Sequence, residues 1–210
     1  MTTHSNAKNN KLVALASIAA ELHSVMTVAW SVSLAAKNAK VISAQSGDKG
    51  LGFQPITDFI DEVSEVAMQG VNDINDEALR LTKVAVNEQR CIDAFERFES
   101  VKRKNQDAQF IASMNPALEQ VEKNMIDSKI VFKKGLNQLT TFLESMDECM
   151  LSARAIASVS RIVTSNAQEY RDKLKVVADD LDKAASYIKG KITGSYDHLC
   201  NIQVNSRKQA

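Results

Sequence analysis

Helix breakers are scarce in this chain: two prolines and seven glycines in 210 residues. Proline removes a backbone donor, and glycine costs about 1 kcal/mol in a helix interior. A sequence nearly free of both, with 44% hydrophobic residues, is expected to form long uninterrupted helices. Cysteine is scarce as well. Cys91, Cys149 and Cys200 are far apart, odd in number and without a CxxC spacing, which excludes a disulfide framework and fits reduced thiols in a cytoplasmic protein. Net charge is missing: Lys+Arg and Asp+Glu both count 26, so there is no electrostatic case for nucleic acid or an anionic membrane.

The chemistry-bearing patterns are absent too. His4, His23 and His198 stand alone, with no second ligand at metal spacing on the same helix face. GDKGLG at 47–52 lacks the GK[ST] of a phosphate-binding loop, and no strand precedes it. Cys149 has acidic neighbours, which raise a thiol's pKa and blunt it as a nucleophile. Asp147–Glu148 and Asp179–Asp180 sit in charge-alternating stretches typical of solvated helix faces. The chain therefore reads as a non-enzyme with no cofactor and no metal. No cleavable leader is evident in MTTHSNAKNNK. Leu12–Ala36 is the one stretch apolar enough to suggest a membrane span. Glu21, His23 and scattered Ser and Thr count against it, as does a heptad rhythm in place of a continuous apolar run.

What the sequence does have is helical periodicity. Leu15, Ile18, Leu22, Val25, Ala29, Val32, Ala36 and Ala39 alternate in steps of three and four, the spacing of a coiled-coil seam. Helix one is expected from about 7 to 46 and, being small or apolar on most sides, as the most enclosed of the set. Helix two, about 53–104, opens with Pro55 in its first turn and carries Ile60, Val63, Ala67, Ile74, Leu81, Ile92, Phe95 and Phe98. Asn115-Pro116 with Glu119 marks the next helix entry.

From Pro116 to Ile192 no further proline occurs, yet the apolar seam changes phase. Phe132, Leu136, Leu139, Leu143, Met146 and Met150 keep one phase; Val163, Ala167, Tyr170, Leu174, Val177, Leu181, Ala184 and Ile188 keep another. A reversal between about 150 and 166 or a coiled-coil stammer in one rod would each produce this. The reversal is preferred, giving helices of about 116–150 and 160–192. Residues 1–6 and 193–210 read as loose tails. The fold class is all-α: an elongated antiparallel helical hairpin closing into a four-helix bundle. A chain that folds back is expected to be a self-contained monomer, and an unbroken rod would require a homodimer.

Gly47, Gly50 and Gly52 cluster where helix one hands over to helix two. Around them, Asn38, Ala39, Val41, Ala44, Gly47, Asp48, Gly50, Gly52, Phe53, Ile56, Asp58 and Ile60 keep a gapless register. This stretch resembles the hairpin tip of the cytoplasmic signalling domain of methyl-accepting chemotaxis proteins. The pattern there runs Asn-Ala-Ala-x-Glu-Ala-Ala-Arg-Ala-Gly, then Glu-x-Gly-Arg-Gly-Phe, then Ala-Val-Val-Ala-x-Glu-Val.

The resemblance implies a chemoreceptor-type coiled-coil bundle acting in signalling. It also implies a tip (Asn38, Gly47, Asp48, Gly50, Gly52 and Phe53) offered to a chemotaxis histidine kinase or its coupling protein. The chain departs from the pattern at Ile42 (for Glu), Gln45 and Leu51 (for Arg), and Lys37 and Pro55 (for apolar residues). Those changes predict a tip that no longer activates the kinase, with Lys37 carrying a hydration cost if buried. The family's reversible methylation of Glu pairs has its best echo at Gln168–Glu169, with weaker ones at Ser17 with Glu21 and at Glu88–Gln89. VVADDLDKAA at 176–185 resembles the post-turn segment and would place a second, glycine-free tip near 166. Two other readings stand beside this one: a helical adaptor sharing only the architecture, and a membrane-inserting helical protein using Leu12–Ala36.

Overall fold

A computed structural model of the chain describes residues 2–45, 47, 53–105, 109, 111–164 and 171–207, the side chains of 2–10, 164 and 205–207 excepted. Four long helices follow in order: α1 (Thr2–Gln45), α2 (Gln54–Lys104), α3 (Asn115–Thr164) and α4 (Arg171–Arg207). A short 3-10 turn, Ile111–Met114, leads into α3. No strand occurs among the described residues. At ~1.5 Å rise per residue the 51-residue α2 is roughly 77 Å long, so the molecule is a rod-shaped all-α bundle.

Each helix packs against two others: α1 on α2 and α4, α3 on α2 and α4. Cross-helix pairs fix the directions. Ser33 meets Asp61 and Lys11 meets Glu88, so α1 and α2 run oppositely. Asn87 meets Ser128 while Cys149 faces the Val63 carbonyl, and Arg161 meets Asp179 while Lys189 meets Asp147, so α2–α3 and α3–α4 are antiparallel; α1 and α4, joined by Glu21–Lys191, therefore run oppositely as well. The bundle is up-down-up-down, and the α1–α2 and α3–α4 connections lie at the same end.

The seam of α1 is the centre of the core. Leu15, Ile18, Leu22, Val25, Ala29, Val32, Ala36 and Ala39 are all buried, in one cluster with Ile60, Val63, Ala67, Ile74 and Leu81 of α2. The expected α3 seam is buried from Phe132 to Met150, and it continues without a phase change through Ala153, Ala157 and Ser160. The chain therefore folds back later than expected: α3 runs to Thr164 rather than 150, and α4 begins at Arg171 rather than 160. Residues 165–170, which connect them, lie outside the described residues. Of the Ser- and Thr-bearing stretch at the expected reversal, residues 158–164 are helix. Ser160 donates to the Ile156 carbonyl at 2.7 Å, and Arg161 reaches across to Asp179 at 2.8 Å and Asp182 at 2.9 Å.

The ends differ from expectation as well. α1 begins at Thr2, not after a loose 1–6. α4 continues past Ile192 to Arg207 with Ile192, Ser195, Leu199 and Ile202 buried, so 193–204 is part of the bundle and not a tail. Tertiary packing carries a helix through Gly190 and Gly194 that intrinsic propensity alone disfavours. Toward the opposite end the core thins: Ile92, Phe95 and Phe98 are half-buried, and no residue of α2 beyond Glu88 or of α3 before Ser128 is buried.

Candidate functional site at the hairpin tip

The tip is built by the last turns of α1 and the first turns of α2. Gly47 has φ +54°, the left-handed region glycine enters at no steric cost, and it stops α1 there. Phe53 stands at the entrance to α2 and is 2% exposed. Its ring belongs to the same core cluster as Ala39 and Ile60 and closes that end of it. Pro55 sits in the first turn of α2, where its missing N–H costs nothing, and Thr57 donates back to the Gln54 carbonyl at 2.8 Å. Asp48, Gly50 and Gly52 lie outside the described residues, as do Gln168 and Glu169.

The positions where this chain departs from the receptor pattern have visible uses. Ile42 is half-buried and packs against the core, so an apolar side chain serves as packing where a carboxylate would face desolvation. Lys37, expected to suffer if buried, is 60% exposed and lies 3.7 Å from Asp61; its hydration cost does not arise. Asp61 also accepts from the Ser33 hydroxyl at 2.6 Å, and Lys40 pairs with Asp58. The Asp58 pairing raises the Lys40 pKa. These exposed pairs contribute little to stability; the buried seam of α1 against α2 sets the packing. Asn38 and Val41 are exposed beside them.

Elsewhere, the charged groups are structural. Lys11 reaches Glu88 at 3.1 Å and lies over the Phe132 ring at 4.9 Å, tying three helices together in a largely buried contact. Buried Glu77 is held by Arg80 one turn on, and this pair packs against Gly135 of α3. Cys149 has its thiol pKa raised, by burial first and by Glu62 second; the acidic neighbours Asp147 and Glu148 are not the main cause. Among the described residues no three His, Cys, Asp or Glu side chains converge on a common point. The expected motifs could not have shown the Glu77–Gly135 contact, since it joins residues far apart in sequence through a missing side chain.

Compared with known proteins, the chain matches no family model, no curated protein and no solved structure at significant similarity.

Proposed function

We propose that this protein is a chemoreceptor-like signalling or scaffold protein that works by protein–protein contact at the α1–α2 hairpin tip and does not activate a chemotaxis kinase. The observation that supports it is the hairpin itself. Two long antiparallel helices reverse at a left-handed Gly47 above a sealed Phe53, in the register of the receptor pattern. The departures at Ile42 and Lys37 are absorbed by packing and by a surface ion pair. On this reading the tip lacks the charges that would lock neighbouring receptors together.

Phe53 is too deeply covered to be a contact in the folded protein, so the described contact surface is Asn38 and Val41, with the Lys37–Asp61 and Lys40–Asp58 pairs around them. The partner is a chemotaxis histidine kinase or its coupling protein. Pull-down with both, together with a kinase autophosphorylation assay, tests the reading. Binding that weakens in Asn38→Ala and Val41→Glu, without stimulation of autophosphorylation, is the expected result. Stimulation would refute the loss of activating function, and no binding at all would refute the tip as the contact.

A further inference from the structure

The outer face of α1 carries a second apolar row. Val13, Ala16, Ala20, His23, Thr27, Trp30, Leu34, Lys37 and Val41 follow one another in steps of three and four, and every one of them is exposed. The large members are far from covered: Val13 is 62%, Trp30 61%, Leu34 46% and Val41 57% exposed. The row contains no carboxylate. Its one cation, Lys37, turns its ammonium toward Asp61, so its methylene stem borders the row. A helix in a four-helix bundle needs one such seam; α1 has two, and the bundle uses only the inner one.

From this row we infer that α1 is the dimer interface of the protein: a second copy packs on its outer face, antiparallel, about a two-fold axis level with His23 and Thr27. The distribution of side-chain sizes selects that partner and that direction. One half of the row is shallow (Ala16, Ala20) and the other bulky (Trp30, Leu34). In the antiparallel register Trp30 stands opposite Ala20 of the second copy and Leu34 opposite its Ala16, so each bulky half enters the other's shallow half. A parallel pairing would set Trp30 on Trp30 and leave alanine facing alanine, with a void at one end and crowding at the other.

Size is sufficient. Val13 to Val41 spans ~42 Å at ~1.5 Å per residue. With one flanking helix width at roughly 10 Å spacing added, the face is about 800 Å² per copy, the area of a standard stable interface. The dimer does not rest on the tip contact; the two surfaces meet at Lys37 and Val41, where a second copy and a tip partner would compete.

Light scattering on the full chain at tens of micromolar, with sedimentation to obtain Kd, tests it. The wild type should have about twice the 23.1 kDa chain mass. Trp30→Glu changes a side chain that faces solvent in the single chain, so its helicity should persist while dimer Kd rises by about 30-fold or more, as for a central aromatic anchor, with only the modest fall in melting temperature that lost association brings. Leu34→Glu and Ala16→Lys should each weaken self-association. Mixing these two variants should restore a dimer, because only the antiparallel register sets the introduced carboxylate of one chain against the introduced ammonium of the other. A monomeric wild type would overturn the inference. So would a dimer indifferent to Trp30→Glu, or a mixture that fails to recover. Flotation of a monomeric wild type with neutral phosphatidylcholine vesicles, abolished by Trp30→Glu, would overturn it in favour of a lipid surface.

Discussion

Replacing Gly135 by alanine should destabilise this protein, although the same change in an ordinary helix interior stabilises it. By propensity alone, Gly→Ala gains about 1 kcal/mol. Gly135, however, lies in α3 directly against α2, and a Cβ there would sit 2.7 Å from Arg80 Nη2 and still closer to Glu77 Oε1 and Leu81 Cδ2. Leu81 is fully buried, and Glu77 is 6% exposed and held by the Arg80 guanidinium, with Nε 2.7 Å from Oε2. Making room means overpacking, at about 1–3 kcal/mol. It also means loosening a carboxylate from its counter-ion where unpaired burial costs about 3 kcal/mol or more. Those terms together exceed the propensity gain, and a net loss of about 3 kcal/mol or more is expected. Gly190→Ala is the internal control. Gly190 lies in the interior of α4, and a Cβ added there would have nothing within 4 Å of it, so the propensity gain of about 1 kcal/mol should appear unopposed. Urea unfolding of both variants, with unchanged slopes, measures each effect. Opposite signs support the packing described; a Gly135→Ala variant as stable as Gly190→Ala would refute it.

Other outcomes follow from the same contacts. Leu22→Ala removes a fully buried side chain of the α1 seam and should cost about 2–5 kcal/mol in denaturant unfolding. Glu88→Ala leaves Lys11 buried over Phe132 without its carboxylate and should cost about 3 kcal/mol, whereas breaking the exposed Lys40–Asp58 pair should cost under about 1 kcal/mol. The pKa of Glu21 is lowered chiefly by its hydrogen bond from Lys191, and that of Asp182 chiefly by Arg161. A depressed carboxylate contributes stability above its unfolded pKa and loses it as pH falls through the folded value. Melting temperature should therefore be flat near neutrality and fall below about pH 4, with a shallower fall in Glu21→Gln; an unchanged acid limb in that variant would refute the pairing.

Much of the fold was legible because its signal is local. The α1 seam from Leu15 to Ala39 needed only a period of three and four, and every member of it is buried. Gly47 and Pro55 announced the turn through backbone chemistry that any sequence displays. The later reversal was misplaced because Ser158, Ser160, Arg161 and Thr164 look like loop material in one dimension. Ser160 in fact returns its hydroxyl to its own helix, and Arg154 and Arg161 are the α3 half of a cross-helix ion-pair cluster on Asp179 and Asp182. The end of α4 was missed for a related reason. Gly190 and Gly194 lower its propensity, and the apolar residues that hold it, Ile192, Leu199 and Ile202, are spaced by polar ones. At the tip, the sequence marked the turn but offered Phe53 as a partner contact, whereas the ring closes the core, and the hydration cost weighed for a buried Lys37 does not arise because its ammonium stays at the surface near Asp61.

Two apolar rows account for the composition of α1. From Lys11 to Gln45 it is long and apolar enough to cross a membrane, yet it carries Glu21, His23, Lys37 and Lys40. One seam, from Leu15 to Ala39, is consumed by the core and would give any amphipathic helix its ordinary polarity. What raises α1 above that is the opposite row, from Val13 to Val41, which a solitary soluble bundle would fill with Lys, Glu and Gln, as the outward positions of α2 at Glu62, Glu65 and Gln69 are filled. Two such rows on opposite sides of one helix leave little asymmetry between its faces and imply two neighbours. A bilayer would meet the charged Glu21–Lys191 and Lys37–Asp61 pairs along both edges of the row, whereas a second α1 keeps those pairs at a hydrated rim and buries only what lies between them.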